Sequence, residues 1–235
     1  MKVKSRFNIY LIFSLIFLFI NTVNSQKNIN YRWDNMLKKY VSVDGSVNYK
    51  NWKKEQNELK KYIKTLEENN PKNSWSKNDK LAYWINAYNA ITIDLILQNF
   101  PVKSIKEIKN RWGKKLYNNK YSLGDIEHKI LRKMNEPRIH FAINCASKSC
   151  PKLLNESYTG RKLEEQLKEV TKAFLCNPKK NNLKNNEIYL SRIFLWFSKD
   201  FGTKKDKINF ISKYSGIKFK NPKIRYLSYD WSLNN

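Results

Sequence analysis

The chain has 235 residues and a formal net charge of +26, from 46 Lys and Arg against 20 Asp and Glu. With 7 Trp, 14 Tyr and 12 Phe it is no disordered tail, because disordered chains lack the aromatics that fill a core. Lysines run from Lys27 to Lys223 with no Arg cluster and no nucleic-acid motif, which argues against a specific nucleic-acid partner and leaves only nonspecific, salt-sensitive attraction.

The N-terminus reads as a secretory signal. Lys2, Lys4 and Arg6 precede an apolar run from Ile9 to Ile20, and Val23-Asn-Ser25 ends in short residues. That run is too short for a comfortable transmembrane span, which takes roughly 20 residues. Residues 1–25 are therefore expected to be removed, leaving an exported, periplasmic or secreted protein with no later membrane span. Residues 26–74 are expected to form an N-terminal helical segment and residues 75–234 the main domain.

Along the chain, helical spacing of Trp33, Met36, Leu37 and Tyr40 predicts a helix over 29–40. Asp44-Gly45 signals a tight turn. Trp52, Leu59, Tyr62, Ile63 and Leu66 predict a second helix over 50–68, closed by Pro71. Ser76 and Asp79 open a long helix over about 78–99 that is apolar nearly all round and so buried. Asn86 and Asn89 share a face of it, either fastening backbone or lining a cleft.

A hairpin is expected around Asn118-Asn119. Ser122 and Asp125 resemble a capping box and open a helix over 123–134, where Asp125, His128 and Arg132 can interact at spacings of three and four. Arg138–Asn144 reads as a strand. Helices are expected over 161–176, from Ile193 to about 200 and over 207–214, with strands at Glu187–Leu190 and Ile224–Tyr229. The class is α+β: a mostly helical single domain around a small antiparallel or mixed sheet, with N-terminal helices packed on it.

The segment Leu81-Ala-Tyr-Trp-Ile-Asn-Ala-Tyr-Asn-Ala90, with Ser122–Arg132, Pro137–Ala142, Cys145–Pro151, Asp200-Phe201 and Tyr229–Asn234, resembles the domain of unknown function 547 family. The resemblance covers about residues 75–234 and implies no settled reaction. The family's marked residues fall here on Asn86, Asn89, Asp125, Glu127, His128, Arg138, His140, Cys145, Ser147, Ser149 and Cys150.

The chemistry concentrates in His140–Pro151, which holds one of the 2 histidines and, in Cys145 and Cys150, two of the 3 cysteines. One expectation is a thiol-dependent hydrolase or acyltransferase. In it Cys145 is the nucleophile, His140 (or His128) its base, and Asp125 or Glu127 the group orienting the imidazole. A strand would point His140 and Cys145 to opposite faces, so that pairing needs a turn at Asn144–Cys145. The rival is a noncatalytic module in which Arg138, His140, Ser147 and Ser149 grip an anionic or carbonyl ligand, be it a small molecule, a peptide or an envelope component. A Cys145–Cys150 disulfide would close its loop. Cys150–Cys176 pairing, with Cys145 free, is the other arrangement open in an oxidising compartment. The spacing of His128, His140, Cys145 and Cys150 fits no zinc motif. No phosphate-binding glycine loop or Gly-x-Ser-x-Gly elbow is present, so no metal and no cofactor are expected.

Overall fold

A computed structural model describes residues 29–184 and 186–235. The expected signal, residues 1–25, lies outside them. No helix among the described residues is long and apolar enough to cross a membrane.

Side chains cap the first turn of several helices. Helix α1 covers residues 29–40. A turn follows in which Val41 and Val47 pair across Asp44-Gly45. Gly45 sits at φ +89°, and a Cβ there would fall 2.4 Å from Lys152 Cβ, so glycine is required on two counts. Helices α2 (Tyr49–Trp52) and α3 (Gln56–Glu68) are joined by one 3-10 turn rather than forming the continuous helix expected over 50–68. Trp33 stacks on Tyr62 at 5.4 Å and Tyr40 on Trp52 at 5.1 Å, so α1 to α3 share one aromatic core.

Helix α4 (Lys77–Asn99) is the axis of the fold. Every residue from Leu81 to Leu97 is buried, as its all-round apolar pattern requires. Ser76 Oγ caps it by accepting from Asp79 N at 3.1 Å. The expected hairpin shrinks to a single Tyr117–Tyr121 bridge, with Asn118 and Asn119 both at φ 49°. Asn tolerates that left-handed geometry.

Helix α5 (Leu123–Asp125) opens with a complete Ser122/Asp125 capping box. It then widens into a π-helical turn, Ile126–Leu131, and tightens into 3-10 geometry, Arg132–Met134, before Asn135 stops it at φ 52°. Helix α6 (Leu163–Leu175) leads to a mixed sheet of β1 (Asn182–Leu183), β2 (Glu187–Leu190) and β3 (Lys223–Tyr226). The β1–β2 pair is antiparallel, and β2–β3 is parallel. Helices α7 (Ile193–Trp196) and α8 (Lys204–Ser215) make the crossover. The fold is α+β and mostly helical.

One expected element is wrong. Residues 138–144 form no strand; Pro137–Phe141 is a 3-10 helix. Pro137 presets its first turn, and Glu136 caps it by accepting from Arg138 N at 3.1 Å. Ile139 to Asn144 are all buried, and a short, fully buried run shows no periodicity to separate strand from helix.

Candidate active site

Asn89 and Asn144 build the floor of the site. From α4, Asn89 Nδ2 donates to Ala142 O at 3.0 Å and Asn89 Oδ1 accepts from Asn144 N at 2.8 Å. Asn144 then shapes the loop that follows. Its Oδ1 accepts from Ala146 N at 2.7 Å, and its Nδ2 donates to Pro151 O at 2.6 Å. Ala146 is held at φ 58°, a conformation that costs a non-glycine residue about 1 kcal/mol. The folded-back loop brings Cys145 Sγ and Cys150 Sγ to 2.6 Å, and Cys145 N donates to Cys150 Sγ at 2.8 Å.

The C-terminal segment clamps this loop from outside. Ser147 pairs with Leu233. Lys148 N donates to Ser232 O at 2.8 Å, and Asp230 N donates to Ser149 Oγ at 2.8 Å. The clamp delivers Tyr229, whose hydroxyl lies 3.3 Å from both Cys145 Sγ and Ser147 Oγ; Ser147 Oγ itself is 3.2 Å from the sulfur. Burial alone would raise the Cys145 pKa. Hydrogen bonds from the Cys150 thiol, the Ser147 hydroxyl, Tyr229 and the Ser147 amide outweigh that and bring it down to about 7. Cys150 goes the other way: burial, reinforced by Cys145, pushes its thiol well up.

A second cluster stands beside the thiols. His140 Nε2 donates to Asp200 Oδ2 at 2.8 Å, and Arg132 grips the same carboxylate through Nε at 2.6 Å and Nη2 at 2.7 Å. The His140 ring stacks on Phe197 at 4.0 Å and is only 2 % exposed. Burial lowers its pKa to about 4 in spite of Asp200, so the ring is neutral at pH 7 and its buried Nδ1 lone pair has no partner among the described residues. Burial works against ionising Asp200, but Arg132 and His140 more than offset it and hold the carboxyl below its ordinary value. His128 is exposed, 3.2 Å from Arg132 Nη1. Burial of part of the ring, then Arg132, lowers its pKa.

Glu127 links the two clusters. It projects inward from the π-helical turn, a distortion common at functional sites, and Tyr88 of α4 donates to its Oε2 at 3.2 Å. Burial lifts its pKa to about 7; the Tyr88 bond pulls it down, while the charges of Cys145 and Asp200 push it further up. A carboxyl poised there exchanges protons readily at neutral pH.

The family comparison now bears on these residues. A family model described as "Protein of unknown function, DUF547" matches residues 72–175. That segment belongs to the domain of unknown function 547 family. Searches of curated proteins and of solved structures returned no significant match. The DUF547 segment contains Tyr88, Glu127, His128, Arg132, His140, Cys145 and Cys150 but stops short of Asp200 and Tyr229.

The expected site residues separate into two groups. Glu127, His140, Cys145, Ser147 and Cys150 lie within or beside the clusters just described. The others serve the fold around them. Asn86 clasps the Tyr158 backbone, donating to its O at 2.8 Å and accepting from its N at 2.9 Å, as Asn89 clasps 142–144. Asp125 caps α5 and bonds Lys115 and Lys129, contacts that depress its pKa strongly, and it touches neither imidazole. Arg138 is saturated by Glu136 at 2.6 Å and Glu164 at 2.7 Å. Ser149 receives the Asp230 amide. Cys176 is a free thiol exposed at the end of α6, with no contact to the other sulfurs.

Neither histidine hydrogen-bonds to Cys145 among the described residues, so the expected Cys–His pairing is absent from the geometry. Three contributors went unassigned in the sequence: Tyr88, Asp200 and Tyr229. Asp200-Phe201 and Tyr229–Asn234 carry the family resemblance, and that was the one signal that could have flagged the last two. No group of three His, Cys, Asp or Glu among the described residues is arranged to hold a metal ion.

Proposed function

We propose that this chain is a thiol-dependent acyl-transfer or hydrolytic enzyme in which Cys145 is the nucleophile and Glu127 the acid–base group. The observation that carries this reading is the ring of donors around the half-buried Cys145 sulfur, Ser147 Oγ at 3.2 Å and Tyr229 OH at 3.3 Å beside the Cys150 thiol. These do the work an imidazolium does in a Cys–His pair, because each favours the thiolate over the thiol.

The thiolate attacks an acyl carbonyl carbon, and the thioester forms as the leaving group departs with the Glu127 proton. The Glu127 carboxylate then takes a proton from water as the water oxygen attacks the thioester, releasing the carboxylic acid and returning the Cys145 thiolate and the protonated Glu127. General acid–base help of this kind contributes roughly 10²–10⁴-fold. His140, neutral and locked on Asp200, positions Arg132 and Phe197 rather than abstracting the thiol proton.

The test is a pre-steady-state burst with p-nitrophenyl acetate on the reduced protein, with the acylated peptide located by mass mapping. A burst of one acyl group on Cys145, lost in Cys145→Ser and slowed in Glu127→Gln, is expected. No burst, or one that survives Cys145→Ser, overturns the reading.

The second reading, a noncatalytic binding module, is favoured by a cavity of about 330 Å³ beside the loop, where Lys148, Lys152 and Lys180 face Asp44. Those lysines, rather than the saturated Arg138, would hold its anionic ligand. Export is proposed on the N-terminal pattern alone; an exported chain beginning near Gln26 would support it, and a chain retained inside the cell with Met1 intact would remove it.

A further inference from the structure

The two sulfurs do more than share a proton. Cys145 and Cys150 are brought together by backbone that is itself fixed. Asn144 holds Ala146 N and Pro151 O on either side of them, and Cys150 N donates to Ser147 O at 3.0 Å. At 2.6 Å the sulfurs stand well inside ordinary nonbonded contact, near the ~2.05 Å of a disulfide bond. The pair is also asymmetric. Cys145 is half-buried and reachable, whereas Cys150 is only 5 % exposed.

We propose that Cys145 and Cys150 form a thiol–disulfide exchange centre, with Cys145 the attacking thiol and Cys150 the resolving one. This shares with the preceding proposal a reactive Cys145 but needs no acyl chemistry. Its substrate class is an accessible disulfide on a small thiol compound or a peptide. The Cys145 thiolate attacks one sulfur of R–S–S–R, giving a mixed disulfide and releasing RS⁻. Cys150 then loses its proton and attacks Cys145 Sγ, breaking the bond to the second RS⁻. The chain is oxidised by two electrons to the Cys145–Cys150 disulfide, and the substrate is reduced to two thiols.

The electrostatics suit the order of events. A thiolate is available at Cys145 near neutral pH, while Cys150, held protonated by burial and then by Cys145, ionises more easily once the mixed disulfide removes the neighbouring charge. Lys180 places a cation beside the resolving cysteine. Its ammonium donates to Cys150 O at 3.0 Å, and burial lowers its pKa against the pull of both cysteines. The exposed Cys176 lies outside the centre and is removed in the test so that it cannot react in place of the pair.

The experiment is reaction of the reduced full-length chain with oxidised glutathione, in a Cys176→Ser background, read by intact mass and peptide mapping. The expected product is the Cys145–Cys150 disulfide with two glutathiones released and no adduct retained. Cys150→Ser should stop at a stable glutathione adduct on Cys145, and Cys145→Ser should lose at least nine-tenths of the wild-type rate. The wild-type rate should climb with pH through about 7. Wild type that retains the adduct, or Cys145→Ser that reacts at the parent rate, overturns the proposal. A folding defect in either Ser variant is met by the Ala variant at the same position. The ester burst reports separately: exchange without a burst removes acyl transfer alone, and a burst without exchange removes this centre alone.

Discussion

Tyr229 and Cys145 are 84 residues apart in sequence, and the tyrosine hydroxyl rests 3.3 Å from the cysteine sulfur. The contact exists because residues 229–234 lie against the cysteine loop. Together with the larger contributions of Cys150 and Ser147 it turns a buried thiol, which would otherwise hold its proton more tightly, into one that loses it near neutral pH.

Tyr229→Phe removes one donor to the thiolate and keeps the ring that packs on Trp196 at 4.8 Å. Hydrogen bonds to a charged group are worth about 1.5–3 kcal/mol, so the Cys145 pKa should rise by about one pH unit or more. The pH dependence of iodoacetamide alkylation at Cys145 measures it. A profile that does not move would remove Tyr229 from the site.

Glu127 and His140 should give stability opposite slopes against pH. The carboxyl binds its proton more tightly folded, at about 7, than unfolded, near 4.5, so its contribution is largest below about 4.5 and declines as pH rises to 7. The imidazole binds its proton less tightly folded, at about 4, than unfolded, near 6.5. Its contribution is complete above 6.5 and is lost as pH falls to 4. Over the shared window the two nearly cancel. Glu127→Gln removes one side of that balance. It should stabilise the fold at pH 8 by on the order of 3 kcal/mol relative to its effect at pH 4, and it should steepen the loss on acidification. Urea unfolding across pH 4–8 reads both, and parallel curves for the two proteins would contradict the assignment.

Asn89→Ala strips partners from two buried backbone groups, Ala142 O and Asn144 N. Each orphaned group costs about 1–3 kcal/mol, so a loss of roughly 2–4 kcal/mol in urea unfolding is expected. A loss under about 1 kcal/mol would mean that water replaces the amide at the floor of the site.

Ala146→Gly relieves a left-handed backbone at φ 58°. Thermal or urea unfolding should show a gain of up to about 1 kcal/mol, because the strain outweighs the extra freedom glycine adds to the unfolded chain. A loss would show that the methyl group, fully buried here, contributes more by packing than the conformation costs.

What could be read from the sequence was what local chemistry governs. The buried helix α4 shows in its apolar circumference, and Ser122 with Asp125 announces α5 through a capping box that closes within four residues. The 3-10 turn at Pro137–Phe141 is hard to tell from a strand because every residue from Ile139 to Asn144 is buried, which leaves no periodicity to read. Local hydrophobicity there is the same for a buried strand. The thiols could be picked out by residue type. Their activation could not, because Tyr229 arrives through a tertiary contact that leaves no periodic trace. Reading Asp125 as an imidazole partner followed from correct helical spacing, but two lysines and the helix N-terminus already occupy that carboxylate.

The clasp of residues 229–234 also orders events in time. Cys145 is added by the ribosome 84 residues before Tyr229, an interval on the order of ten seconds at ordinary elongation rates. Throughout that interval Cys145 lacks its tyrosine donor and keeps its proton more firmly. The tyrosine hydroxyl at the Cys145 sulfur is therefore the last of its donors to be made, after Ser147 and Cys150.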